Sequence, residues 1–185
     1  VDGAWPTDGR ALCVAGANQN LPAIIGDGTG GAIVTWYDYR SGPADIYVQH
    51  VLTSGVVDGA WPGDGRALCT AGGDQYYPSI VSDGAGGAIV AWQDARFGVG
   101  NLDIYAQHVL SSGAVDGAWP ADGRGLCNAG NLQENVSIVS DGAGGAVVSW
   151  EDFRGPNIWD IYAQHVFASG VVDPAWPVVG RAATT

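Results

Sequence analysis

The stretch Pro78-Ser79-Ile80-Val81-Ser82-Asp83-Gly84-Ala85-Gly86-Gly87-Ala88-Ile89-Val90-Ala91-Trp92-Gln93-Asp94 decides the fold. Two short runs rich in β-branched and aromatic residues flank a turn with Asp-Gly chemistry, which is the pattern of a tight antiparallel hairpin. Downstream, the Asp94-x-Arg96 tip leads into Asp103-Ile104-Tyr105-Ala106-Gln107-His108-Val109-Leu110, a third strand closed by Ser111-Ser112-Gly113. Upstream, Arg66-Ala67-Leu68-Cys69-Thr70-Ala71 forms a fourth candidate, reached through Trp61-Pro62-Gly63-Asp64-Gly65. Nothing around them has the length and 3.6-residue apolar spacing of a helix.

The same text returns. An opening Val-Asp-Gly-Ala-Trp-Pro stands at Val1, recurs from Val57 and Val115, and reappears in degraded form from Val172. Its tryptophans, Trp5, Trp61, Trp119 and Trp176, are 56, 58 and 57 residues apart. The chain therefore reads as three units, 1–56, 57–114 and 115–171, and a partial fourth, 172–185. All length variation falls in one place. Four residues separate Arg40 from Asp45, six separate Arg96 from Asp103, and five separate Arg154 from Asp160. Insertions are tolerated at surface tips and resisted within strands, so this loop is an exposed tip and the remainder is framework.

Along Ala88 to Trp92 one face carries Ala88, Val90 and Trp92 and the other Ile89 and Ala91, so both faces need cover. Four-stranded antiparallel units, each sandwiched by its neighbours, are the blades of a β-propeller. The expectation is an all-β, propeller-like chain of three blades. An open stack of β units would bury the same faces. Three blades do not close a ring, so two chains could complete six, and segment 172–185 could close the unit or exchange with another chain. Val1 is not an initiator Met, which suits a processed form or an excerpt.

The Pro78-to-Asp94 pattern followed by Asp103-Ile104-Tyr105-Ala106-Gln107 resembles tandem repeats of secreted and surface proteins of bacteria, which look propeller-like. That resemblance covers nearly the whole chain and implies an extracellular bacterial setting with no particular catalytic activity.

Composition narrows the partners. The chain has 185 residues, seven basic against 19 acidic side chains and a formal charge of -12; all seven bases are Arg. Phosphate backbones and anionic lipid surfaces require clustered cations, so nucleic acid and membrane surfaces are not expected partners. No apolar run approaches the ~20 residues that span a bilayer, so membrane insertion is not expected either.

Several recurring residues invite chemistry. Cys13, Cys69 and Cys127 hold one equivalent position per unit and read as small buried hydrophobes. His50, His108 and His165 lack metal-ligand spacing and read as partly buried rings bonded to a backbone or Asp partner. At the tips, Asp38, Asp94 and Asp152 precede Arg40, Arg96 and Arg154 by two residues, and Asp45, Asp103 and Asp160 close the loop. One Arg between two Asp could bond both and clamp the loop. No cofactor is expected, although the turn carboxylates Asp27, Asp83 and Asp141 leave calcium open.

Catalysis is not expected, because every Asp pair is replicated and no nucleophile elbow, phosphate loop or dinucleotide fingerprint occurs. Replicated units favour weak, multivalent sites, and aromatic platforms beside Asp and Arg suit sugar rings. The expected contact surface is the set of tips: Tyr39, Arg40, Asp45, Arg96, Phe97, Asp103, Phe153, Arg154, Trp159 and Asp160. The expected function is a non-catalytic extracellular binding or adhesion module directed at glycans or cell-surface polymers. The alternative is a structural subunit that assembles head to tail, and in either case a homo-oligomer is expected.

Overall fold

The computed structural model describes residues 5–183. Twelve strands form three four-stranded antiparallel sheets. The first blade comprises β1 (Gln19–Gly26), β2 (Ala32–Asp38), β3 (Asp45–Val51) and β4 (Arg66–Cys69). The second comprises β5 (Gln75–Ser82), β6 (Ala88–Asp94), β7 (Asp103–Val109) and β8 (Arg124–Cys127). The third comprises β9 (Gln133–Ser140), β10 (Ala146–Asp152), β11 (Asp160–Val166) and β12 (Arg181–Ala182). The fold is all-β and propeller-like, and the three sheets do not close a ring. Among the described residues no helix is long and apolar enough to cross a membrane.

The glycine turns form as their chemistry dictates. Asp83 Oδ1 accepts the N–H groups of Ala85 (2.7 Å) and Gly87 (2.9 Å), folding β5 back onto β6. A Cβ on Gly87 would stand 2.5 Å from that same carboxylate and 2.4 Å from the carbonyl of Val109, so the position requires glycine for space.

Blades and sequence units are out of phase. β4 lies in the second unit yet pairs with β3 of the first, and β8 pairs with β7 across the next unit boundary. Segment 172–185 behaves in the same way over its described part: β12 pairs with β11 within the chain, Tyr162 opposite Ala182 and Ala163 opposite Arg181. The segment thus supplies the outer strand of the third blade, as a closure segment does.

Each opening also fastens the blade that follows it. Trp61 presses on the tight turn at Gly113, where a Cβ would lie 2.7 Å from the indole, and Arg66 Nε donates to the carbonyl of Gly113 at 2.8 Å. The fully buried amides of Gln49, Gln107 and Gln164 hold the openings through the carbonyls of Pro62, Pro120 and Pro177.

Both faces of the central sheet are covered, and every residue of β6 and β7 is buried. Ile33, Ile46 and Val48 of the first blade meet Ala88, Val90 and Trp92 of the second. Ile89, Ala91, Ile104 and Ala106 on its other face meet Ala146, Val148 and Trp150 of the third. At ~25 cal/mol per Å² of apolar surface, these two seams are the main source of cohesion. The near face of the first blade, Val34, Trp36 and Tyr47, is covered by Leu12 and Cys13 of the first opening. The far face of the third is open: Ile161 is 46% exposed, whereas its counterparts Ile46 and Ile104 are at 0%.

Candidate functional site

The tip arginines are framework. Arg96 takes both oxygens of Asp94 (Nε to Oδ1 2.8 Å, Nη2 to Oδ2 2.7 Å), while Nη2 also reaches the carbonyl of Asp122 (2.8 Å) and Sγ of Cys69 (3.5 Å). Its guanidinium lies 3.7 Å over the ring of Tyr105. Arg154 repeats this with both oxygens of Asp152, Cys127, the carbonyl of Val179 and Tyr162. Arg40 makes the same set of contacts with Asp38, Cys13, the carbonyl of Asp64 and Tyr47 through Nη2 and its guanidinium face, but its buried Nε has no partner. Each arginine therefore stitches a tip to the next opening. The cysteines belong to the same stitch, and burial pushes the Cys69 thiol up to about 12 and that of Cys127 to about 11.

The expected bridge to the second Asp is not made. Asp94 and the carbonyl of Asp122 occupy the arginine's donors, and Asp103 is fully buried with neither carboxylate oxygen bonded. Burial, with the nearby charge of Asp94, pushes its pKa up to about 6. Asp45 likewise leaves Oδ2 without a partner at 3% exposure, and Asp160 is half-buried. Nor do the tip aromatics share a pocket. Phe97 is 66% exposed, and Phe153 pairs with Trp159 at 5.0 Å on a different blade.

The histidines bond to two carboxylates each. His50 lies 2.9 Å from both Asp27 and Asp58, His108 lies 3.0 Å from Asp83 and 2.9 Å from Asp116, and His165 lies 2.9 Å from both Asp141 and Asp173. Asp27 also accepts from the backbone N–H of Thr29 and Gly31. The turn carboxylates considered for calcium are thus engaged by nitrogen donors.

The framework residues Trp36, Asp38, Arg40, Gln49 and His50 recur at equivalent positions in all three units, whereas four positions at the start of each inner strand and beside it differ in every blade. They are Asn20, Leu21, Tyr37 and Tyr39 in the first blade, Tyr76, Tyr77, Gln93 and Ala95 in the second, and Glu134, Asn135, Glu151 and Phe153 in the third. The ladder slips between Asn20 and Ala23 and between Tyr76 and Ser79, and Leu21, Tyr77 and Asn135 take left-handed backbone at φ 47°, 52° and 56°. Bulges and strained non-glycine residues of this kind re-aim side chains and cluster at functional sites.

At the seam of the first two blades this corner is a cluster of four tyrosines. Tyr37 meets Tyr39 and Tyr76 edge-on, each at 5.8 Å, and Tyr77 at 6.2 Å; Tyr76 and Tyr77 are 5.9 Å apart. Tyr77 is 52% exposed. Burial and a hydrogen bond to Asp74 push the Tyr76 phenol well above its ordinary pKa, so it remains a donor. Asp74 in turn accepts the N–H of Ala44 at 2.8 Å, tying the corner to the first tip. In the third blade Glu134 stands opposite Glu151, the chain's only two glutamates, and Asn135 Nδ2 donates to Glu151 at 2.9 Å.

Of these residues the sequence reading identified Tyr39 and Phe153 and missed Tyr37, Tyr76 and Tyr77. Recurrence was its criterion, and the useful signal was the reverse: positions that diverge inside an otherwise uniform repeat.

No protein-family model and no curated protein matches the sequence. Among solved structures the fold is similar to that of an endo-arabinase from Bacteroides thetaiotaomicron, with TM-score 0.55, 15% identity, and 89% of this chain matched to 61% of that one. An N-acetylgalactosamine deacetylase from F. plautii, solved with blood group B trisaccharide, gives TM-score 0.48, 10% identity, and 97% of this chain against 57% of that one. The chain spans less than two thirds of the length of either.

Proposed function

We propose that this chain is a non-catalytic carbohydrate-binding module that works outside the cell, with the tyrosine cluster of the first seam as its principal contact. One observation carries the reading: a repeat that keeps its framework residues constant has placed four tyrosines, drawn from two blades, at a strained and exposed corner. Aromatic faces take the C–H face of a sugar ring, and the phenols and Asp74 supply directional hydrogen bonds. With no arginine among the four, the surface suits neutral saccharides. An endo-arabinase shares the fold, which agrees with a carbohydrate role without fixing the ligand.

The test is a titration of neutral oligosaccharides by calorimetry. Tyr77→Ala should weaken binding roughly fivefold, the loss of one aromatic contact worth about 1 kcal/mol. Unchanged affinity in Tyr77→Ala would refute the site. Release of new reducing ends from the bound polysaccharide would refute the non-catalytic reading.

Head-to-tail assembly is the second reading, favoured by the open far face of the third blade. There Ile161 is 46% exposed where Ile46 and Ile104 are sealed by a following blade. A second copy would seal it with the part of its own first blade that the opening leaves uncovered, where Ile24 is 66% exposed. Light scattering that gives a concentration-independent monomer would dismiss this reading.

A further inference from the structure

The outer rim carries a cavity unrelated to the tyrosine corner. At the first two junctions a carboxylate spans from one opening to the residue after the cysteine of the opening before it: Asp64 Oδ1 accepts the N–H of Val14 at 2.8 Å, and Asp122 Oδ1 accepts that of Thr70 at 2.9 Å. Three residues after the opening tryptophan, where these aspartates stand, the last opening has Val179, which packs inward against the second core. Among the described residues no carboxylate then reaches back to Asn128, the counterpart of Val14 and Thr70. The gap is a cavity of about 580 Å³ lined by Arg124, Asn128, Asp173, Pro174, Trp176 and Val178.

Its lining is a specific mixture. Trp61 and Trp119 are 4% exposed beneath the turns at Gly113 and Gly170, whereas Trp176 is only half-buried and gives its ring to the cavity. Arg124 spends Nε on the carbonyl of Gly170 (2.7 Å), and among the described residues no carboxylate lies within ion-pair distance of it. A second cation, Arg181, stands 5.7 Å from the Trp176 ring. The acid in the wall, Asp173, already has its partners: Oδ2 bonds His165 and Oδ1 accepts the N–H of Ala175. Pro174 and Val178, where the earlier openings have Gly59, Gly117, Gly63 and Ala121, add apolar walls. Within a chain of charge -12, the cavity sets the Arg124 guanidinium, which has no carboxylate partner among the described residues, beside an aromatic face.

We propose that this cavity is a second saccharide site, specific for an acidic sugar of the uronate class. The carboxylate meets the guanidinium of Arg124, the ring lies on the indole of Trp176, and the hydroxyls reach Asn128. A forked Arg–carboxylate bond supplies geometric selectivity that a neutral sugar cannot satisfy. The ligand class rests on the carbohydrate reading above; the location does not, because it depends on no tyrosine of the first seam.

The experiment follows the Trp176 indole N–H resonance of ¹⁵N-labelled protein, assigned with Trp176→Phe, during titration with trigalacturonic acid and, separately, galactotriose. Trigalacturonic acid should shift it at a concentration at least tenfold lower than galactotriose. Arg124→Lys should abolish at least tenfold of that preference. Val178→Trp, at a position 84% exposed and so tolerant of bulk, should block the response by filling the cavity even if Arg124→Lys is too unstable to use. Equal responses to the two trisaccharides, or no Trp176 shift at millimolar ligand, would overturn the proposal. Tyr77→Ala separates the two sites. A uronate response that survives it supports the rim cavity, and one lost with it places the acidic sugar at the tyrosine corner and overturns the assignment made here. Neutral binding of unchanged affinity in Tyr77→Ala overturns the first reading and leaves the rim response untouched.

Discussion

Nε2 of His165 lies 2.9 Å from Oδ2 of Asp141, across the mouth of the last glycine turn, while Nδ1 of the same ring reaches Asp173. Carboxylates can only accept, so both ring nitrogens donate and the imidazole is a cation. Burial opposes that charge, but the bonds to Asp141 and Asp173 outweigh it and hold the His165 pKa above its ordinary value. Asp141 is held below the usual carboxylate range: burial opposes this, but the bonds to His165 and to the N–H groups of Ala143 and Gly145 together outweigh it. A raised His contributes stability present below its unfolded pKa and lost as pH rises through the folded one. A lowered Asp contributes stability present above its unfolded pKa and lost as pH falls. The clasp is therefore strongest between about pH 4 and 6.5. His165→Gln should lower Tm by roughly 3–8 °C in that window, a charge-assisted bond being worth roughly 1.5–3 kcal/mol. Calorimetry at pH 5.5 and pH 9 should find the deficit shrinking at the higher pH.

Asp103 has the opposite sign. Its folded pKa, pushed up to about 6 by burial and the Asp94 charge, lies above the unfolded value, so its ionised form destabilises the fold. Unfolding free energy should fall as pH rises from about 4 to 6 and then level off. Asp103→Asn removes the ionisation and should gain up to about 2 kcal/mol at pH 7.5, with little change at pH 4. Chemical denaturation at the two pH values measures this, and an equal effect at both would refute it.

Arg96→Lys separates framework from binding. Lysine cannot reproduce the fork on Asp94 together with the bond to the carbonyl of Asp122 and the stack on Tyr105. The variant should lose about 2–3 kcal/mol of stability while its affinity for saccharide, measured well below its melting temperature, stays within twofold of the parent.

Gly123→Ala should be among the most damaging single substitutions. Gly123 has φ +94°, and a Cβ there would stand 2.7 Å from the edge of the buried Trp92 indole and 3.1 Å from the carbonyl of Ala106. Neither neighbour can retreat, so the loss should be about 2–4 kcal/mol, read as a fall in the urea midpoint with an unchanged slope.

The strands, the turn chemistry and the two-sided burial were legible because each is a local pattern repeated three times. Phase was not. Arg66 to Cys69 is sequence-local to the second opening, but its pairing partner is Ile46 to Val48 of the unit before, and a repeat looks the same whichever boundary is drawn. The role of Arg96 was legible only in part: its bond to Asp94 follows from spacing, whereas the carbonyl of Asp122 and the ring of Tyr105 come from folding alone. The tyrosine corner escaped because Tyr37 and Tyr76 lie 39 residues apart and meet across a seam that no periodicity encodes.

The offset between sequence unit and blade bears on how such a chain can lengthen. Because the second and third openings each contribute the last strand to the blade behind and the tryptophan and arginine clasp to the blade ahead, a tandem copy of about 57 residues arrives with both of its joints already made. Gene duplication at any phase would therefore splice in a fully lapped segment. Once copied, a unit is free to change its four corner residues without loosening the joints, because none of them takes part in the tip arginine stitch or the histidine clasp.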